Sequence, residues 1–412
     1  MRIGFVATRL SGTDGVSLET LKFAEMARRL GHQACYCAGQ LDPDGPPGWL
    51  IPEMFFQHPA AVAVGERAFS GTEPDATLLA DIAALAAPLR RGLLAFVEES
   101  GIERLVIQNA LAIPMHLPLG QALGQVIAET GLPTLAHHHD LYWERERFRR
   151  CRIPAFLDTY FPFDAPNVRH AVINSIAQRE LRRRRGIEAR LIPNVFDFDT
   201  PAPGIDAYNA DFRAAIGLAG DDILILQPTR VIPRKGIELA IELVSRLQMS
   251  GCALCISHPA GDEGLDYLHA LQRQADELGV DLRYVADRCG SQRGTAPDGG
   301  KIYRLWDAYP HADLVTYPSL YEGFGNALLE TIYFRKPALV NRYPVYAADI
   351  APLGFDFVEV EGRITDEAVA GVRRFLDDPE RRQAAVDRNY ELARQHFSYR
   401  VLADVLEQLL SG

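Results

Sequence analysis

Residues 313–337 read DLVTYPSLYEGFGNALLETIYFRKP, and this stretch decides the fold. Leu314 to Tyr317 is a short apolar run, the pattern of a buried strand. It stops at Pro318-Ser319, and a loop with two glycines follows, Glu322-Gly323-Phe324-Gly325. Asn326, a residue type favoured at the N-cap, then opens an apolar helix through about Phe334. Glycines at 323 and 325 let a ligand approach the backbone closely. The first-turn N–H groups of such a helix favour an anion. Glu322 in the loop and Glu330 in the helix add two carboxylates. A sugar nucleotide offers a matching set: a diphosphate for the helix start, and hydroxyls that donate to carboxylates. The two carboxylates alone fit an acidic strand–loop–helix junction without a ligand equally well.

A second junction of this kind precedes it. Ile223 to Gln227 reads as a strand, PTRVIPRKG as a loop, and Ile237, Ala240, Ile241, Val244 and Leu247 as one face of a helix. Arg230 and Lys235 bracket the loop, with Arg234 between them. A cation at a helix start does not help the helix dipole, so on these residues alone a bound phosphate and a solvated loop stand level. A guanidinium fork and an ammonium point charge suit a diphosphate.

Together these stretches resemble the E-x7-E signature of retaining glycosyltransferases with the GT-B architecture, in particular family 4. The match runs through Pro318-Ser319, Glu322-Gly323-Phe324-Gly325, Glu330 and Lys336-Pro337, and is densest from Gln227 to Asn341. The resemblance implies that Glu322 lies near the donor sugar and Glu330 on the ribose. It also implies that Gly323, Phe324, Gly325, Asn326, Ala327 and Leu328 line the donor. Arg230 and Lys235 would hold the diphosphate and neutralise charge as the nucleoside diphosphate departs. Such enzymes need no metal, and Asp197-Phe198-Asp199 sits in a linker after a hinge-like PNVFD.

The N-terminal half carries further matches. Arg2 to Thr8 is strand-like, Arg9 to Gly15 a loop, Val16 to Leu30 a helix and Gln33 to Ala38 a strand, which together make a βαβ unit. SGTDGV is not a dinucleotide fingerprint. It resembles the family's Gly loop facing donor and acceptor, which implies a role for Gly15 and leaves Asp14 as a departure on the acceptor side. His137-His138-His139-Asp140 ends the strand from Thr134. By spacing from Pro133, His139 matches the family histidine that faces the donor sugar. Neighbouring strand residues point to opposite faces, which disfavours a metal site and should leave one of His137 and His138 partly buried. A general base built from His139 and Asp140 is the remaining alternative. Then comes YWERERFRRCR, residues 142–152. Tyr142 and Trp143 suit stacking on a sugar. Arg147 and Arg150 suit an anionic acceptor, unless the segment is a solvated helix laced with Glu144 and Glu146.

Strand–helix alternation occurs twice, which predicts an α/β fold of the GT-B type: two doubly wound, Rossmann-like domains facing a central cleft. The expected boundaries are 1–195, with the amphipathic helix in 397–412 packing back on it by resemblance, and 196–396, entered through a Pro- and Asp-rich linker. Residues 40–74 look like an elaborated loop, and 75–100 like one helix or two broken near Pro88. DRCGSQRGTAPDGGK, residues 287–301, is expected either to touch the base or to be a mobile loop.

Composition narrows the partners. The chain has 412 residues, net charge −11 and six cysteines. That balance opposes a nucleic-acid binder working by a basic face. No run approaches the roughly 20 apolar residues of a membrane span. Cys252 and Cys255 read as core thiols, and the expected compartment is a reducing cytoplasm. The expected function is retaining hexosyl transfer, without cofactor or metal, from a nucleotide-sugar donor such as UDP-glucose or GDP-mannose. The acceptor would be a small, anionic, soluble molecule. A sugar-nucleotide epimerase of the same architecture and a non-catalytic sugar-nucleotide binder are the alternatives.

Overall fold

The computed structural model describes residues 1–410 other than 13, 72, 74 and 261–263. The chain divides into two units, Met1–Val195 with Tyr399–Gly412, and Phe196–Ser398.

The first unit is built on a sheet of strands β1 (Arg2–Ala7), β2 (Gln33–Ala38), β3 (Trp49–Leu50), β4 (Arg104–Gln108), β5 (Thr134–His138), β6 (Val168–Val172) and β7 (Ala189–Leu191). Their order is β3-β2-β1-β4-β5-β6-β7, and every pairing is parallel. Chain order therefore reverses between β1 and β4, and a crevice opens at their carboxyl ends. The helix Tyr399–Leu410 belongs to this unit, its Leu402, Leu406 and Leu410 packing with Phe23, Met26 and Ala27. Burial of these leucines, each worth roughly 1.5–3 kcal/mol, ties the end of the chain to its start.

The second unit repeats the design. Strands β8 (Ile223–Gln227), β9 (Cys252–Ile256), β10 (Asp281–Tyr284), β14 (Leu314–Tyr317), β15 (Ala338–Asn341) and β16 (Val358–Val360) run in the order β10-β9-β8-β14-β15-β16, again all parallel. The reversal falls between β8 and β14. Among the described residues no helix is long and apolar enough to cross a membrane.

Three expectations change, and for residues 75–100 the one-helix alternative holds. Residues 40–74 are not one loop: they hold β3, a turn at Pro52–Met54 and a helix, Pro59–Phe69. Pro88 does not break its helix, which runs unbroken from Leu78 to Glu99. Residues 287–301 are not one plain loop. They make a small sheet of β11 (Cys289–Gly290), β12 (Gly294–Thr295) and β13 (Lys301–Arg304). Arg293 bonds Asp307 at 2.6 Å and Asp206 at 2.8 Å, and Tyr208 donates to the Ile302 carbonyl at 2.9 Å. Residues 142–152 are no solvated helix but two short turns, Tyr142–Glu144 and Glu146–Phe148.

Candidate active site

In the second unit the reversal point brings Lys235 and Glu322 together. Both lie at the carboxyl ends of neighbouring strands, one after β8 and one after β14. Lys235 Nζ bonds Glu322 Oε1, and Arg234 Nη1 bonds Glu322 Oε2 at 2.9 Å. Lys235 also lies 5.7 Å from the centre of the Tyr317 ring. The loops are locked to each other. Leu320 N donates to the Arg234 carbonyl at 2.8 Å, and Asn341 Nδ2 to the Ser319 carbonyl at 3.0 Å. Gly236 has φ +60°, and a Cβ there would lie 2.5 Å from the Pro318 oxygen, so glycine is what lets the two loops touch.

Burial favours the neutral form of both partners. Burial would raise the Glu322 carboxyl, but Lys235 and Arg234 outweigh it and hold it below its ordinary value. Burial lowers the Lys235 ammonium, and Glu322 only partly restores it. Arg230 is exposed at the same loop and, with Lys235, adds its field to His258. His258, at the end of β9, is pushed down to about 4 by burial and then by these cations.

The helix expected from Asn326 runs Asn326–Tyr333, but its N-cap is Gly325 rather than Asn326. Gly325 has φ +133°, and a Cβ there would lie 2.6 Å from Tyr343 Oη. As a glycine, the N-cap brings no side chain of its own to this helix start. Phe324 is buried, with Tyr343 Oη donating to its carbonyl at 2.5 Å. Leu328 is buried in the first turn, while Ala327 and Gly323 are half-buried. Glu330 lies one turn further on and accepts from Trp306 Nε1 at 3.2 Å and Tyr309 Oη at 3.0 Å.

In the first unit, His139 follows β5 at the carboxyl edge. All three histidines are buried, so the expectation that one would be partly open fails. His137 Nδ1 and His139 Nε2 both donate to Gln108 Oε1, at 2.9 and 3.1 Å. An amide, not a cation, stands between these two rings. His138 instead meets His170 at 2.9 Å, and His170 meets Asp164 at 3.3 Å. Burial pushes His139 down to about 4, opposed by Asp140 and Asp14, so the ring is neutral at pH 7 and is no ready proton acceptor.

Asp14, expected on the acceptor side, has a structural task. It is the N-cap of the helix Gly15–Arg29, its Oδ1 accepting from Val16 N at 3.1 Å and Ser17 N at 3.3 Å. Arg9 pairs with it at 3.2 Å. Gly15 is the first helical residue, and Thr13 of the same loop lies outside the described residues. Tyr142 and Trp143 are half-buried against apolar clusters, with their rings 4.9 Å apart, and Arg184 covers Trp143 at 5.4 Å. Their rings pack against these clusters. Of the arginines, Arg145 pairs with Asp140 at 2.5 Å and Arg149 with Glu146 at 2.6 Å. Arg147 and Arg150 are exposed, Arg147 lying 4.6 Å from the Phe148 ring.

Sequence reasoning missed Arg234, Trp306, Tyr309, Gln108 and His258. Arg234 was in view between two chosen cations. The others act through contacts with residues distant in sequence, for which the chain carries no local signal.

A family model described as Glycosyl transferases group 1 matches residues 299–392. The mannosylglucosylglycerate synthase of Thermotoga maritima is 32% identical, covering 99% of each chain. That of Petrotoga mobilis is 30% identical over 87% of this chain and 86% of its own. Among solved structures, sucrose-phosphate synthase from Thermosynechococcus elongatus superposes with a TM-score of 0.68 at 16% identity, covering 100% of this chain and 98% of its own.

Proposed function

The chain belongs to the group 1 glycosyl transferases, family 4 of the GT-B class, and on that premise we propose that it transfers a mannosyl group from GDP-mannose to glucosylglycerate with retention at the anomeric carbon. Hexosyl transfer itself follows from the family. The observation that carries the finer reading is similarity over the whole chain to proteins named for a mannosyl, a glucosyl and a glycerate group. Of the two donors left open by the sequence, GDP-mannose carries the sugar in that name. Glycerate is a carboxylate, which agrees with the anionic acceptor expected from the arginines after His139.

In this reading Arg230 and Lys235 take the diphosphate. Lys235 and Arg234 exchange part of their pairing with Glu322 for the phosphate oxygens, and Glu322 turns to the sugar. The bond from the anomeric carbon to the phosphate oxygen breaks, and the acceptor oxygen bonds that carbon on the same face. The acceptor proton passes to the departing phosphate oxygen. Charge growing on that oxygen is neutralised by the two cations, which do the work a divalent ion does in other transferases. His139, neutral and held by Gln108, serves the sugar as a hydrogen-bond partner rather than as a base.

The test is a paired acceptor assay with GDP-mannose: glucosylglycerate against its methyl ester, in wild type, Arg147→Ala and Arg150→Ala. The expected result is preference for the anion and a raised acceptor KM in at least one variant. Equal use of the ester, or unchanged KM in both variants, makes the cluster an ordinary solvated surface. Added chelator is expected to leave the rate unchanged.

A further inference from the structure

We propose that Trp306 and Tyr309 are positioning residues that set the Glu330 carboxylate for the ribose of the donor nucleotide. This rests on the reading of Glu330 as the ribose ligand. The two residues come from consecutive short turns, Leu305–Asp307 and Tyr309–His311. Each donates to a different oxygen of Glu330, Trp306 Nε1 to Oε1 at 3.2 Å and Tyr309 Oη to Oε2 at 3.0 Å. A glutamate on a half-exposed helix face rotates about three bonds, and two donors on two oxygens fix both its position and the plane of the carboxylate.

The donors are themselves immobile. Tyr309 is fully buried and lies parallel to Phe334, with centroids 4.7 Å apart and planes 6° apart. Trp306 packs on Phe196, Tyr333 and Phe334 at 5.6, 5.8 and 5.7 Å. Phe334 is the C-cap of the helix that carries Glu330. The aromatic cluster therefore fixes both donors relative to that helix.

The chemistry of the donors fits the task. Indole N–H and phenol O–H are neutral, so they orient the carboxylate without cancelling its charge. Burial holds the Tyr309 phenol well above its ordinary value, so it stays a donor. A carboxylate oxygen accepts more than one hydrogen bond. Two side-by-side oxygens of fixed plane match the two adjacent hydroxyls of a ribose, and bonds to an ionised acceptor are the strong ones.

The experiment is calorimetry of GDP and 2′,3′-dideoxy-GDP on wild type, Tyr309→Phe, Trp306→Phe and Glu330→Ala, with thermal midpoints taken alongside. Tyr309→Phe and Trp306→Phe are each expected to weaken GDP about tenfold and dideoxy-GDP hardly at all. Glu330→Ala is expected to abolish the difference between the two nucleotides. If the aromatic variants weaken both nucleotides equally, or neither, while Glu330→Ala still erases the difference, the positioning role is wrong and the ribose reading stands. If Glu330→Ala leaves the difference intact, the ribose reading itself fails. The dideoxy nucleotide reports folding damage separately, because a misfolded site loses both ligands.

Discussion

Two of the helices that start just after a glycine-bearing loop, Gly15–Arg29 and Asn326–Tyr333, differ in how they start. At Gly15–Arg29 the end is closed from within: Asp14 accepts from two backbone N–H groups and places a negative charge on the helix axis. At Asn326–Tyr333 the N-cap is Gly325, which brings no side chain, and Lys235 and Arg234 stand on the neighbouring loop against Glu322. A capped, negatively charged start repels an anion. A glycine-capped start beside cations recruits one. The same local pattern, strand–glycine loop–helix, thus serves stability in one unit and, in the proposed function, donor binding in the other. Side chains at the cap, not the glycines, make the difference.

The sharpest way to break this contrast is to remove the cation from the second junction. Lys235→Ala is expected to lower kcat by roughly 10²–10³-fold, the size of a lost charge stabiliser in a transition state. Its thermal midpoint should fall far less in proportion, since Arg234 still pairs with Glu322. Retained full activity ends the diphosphate role of this loop.

Acid separates the units next. In the first unit His116, His137, His138, His139 and His170 are all lowered by burial, against His258 and His311 in the second. A histidine at about 4 when folded and at its ordinary 6.5 when unfolded binds fewer protons in the native state between those values. Stability is therefore lost as pH falls through that window, by about 2 kcal/mol at pH 5 for His116 and for His139. Hydrogen exchange, corrected for its intrinsic pH dependence, should show strands β4–β6 opening before β8, β9 and β14 as pH falls from 7 to 5. The opposite order contradicts the assignment of neutral rings.

The smallest expected effect is on the cap. Asp14→Ala should cost about 1 kcal/mol, with Asp14→Asn keeping most of it, while Asn326→Ala should cost less because Asn326 lies inside its helix and Gly325 is the N-cap. Denaturant melts of the three variants decide the point. A larger loss at 326 than at 14 reverses the comparison of the two helix starts.

These contrasts also mark how far the sequence could be read. Parallel strands buried on both faces are written as apolar runs, so β2, β8 and β14 could be placed residue by residue. Lys235 and Glu322 were legible because each stands beside a loop glycine next to such a strand. Asp14 carried its own signal, an N-cap residue type directly before a helix, and was passed over for a ligand role. The sheet of β11, β12 and β13 was not legible: its strands are two to four residues long, and Asp206 and Tyr208 hold it from outside. Trp306 and Tyr309 read as ordinary core aromatics until two turns bring them onto Glu330. Gln108 closes a strand, and only the pairing of β4 with β5 sets it beside His137.

The measurement that tests the central claim most directly is NMR of the product formed from GDP-mannose and glucosylglycerate. The account predicts a new mannosyl linkage with the donor's axial anomeric configuration, formed at the same rate with chelator present. An equatorial anomer, or release of mannose without a disaccharide product at any acceptor concentration, contradicts it.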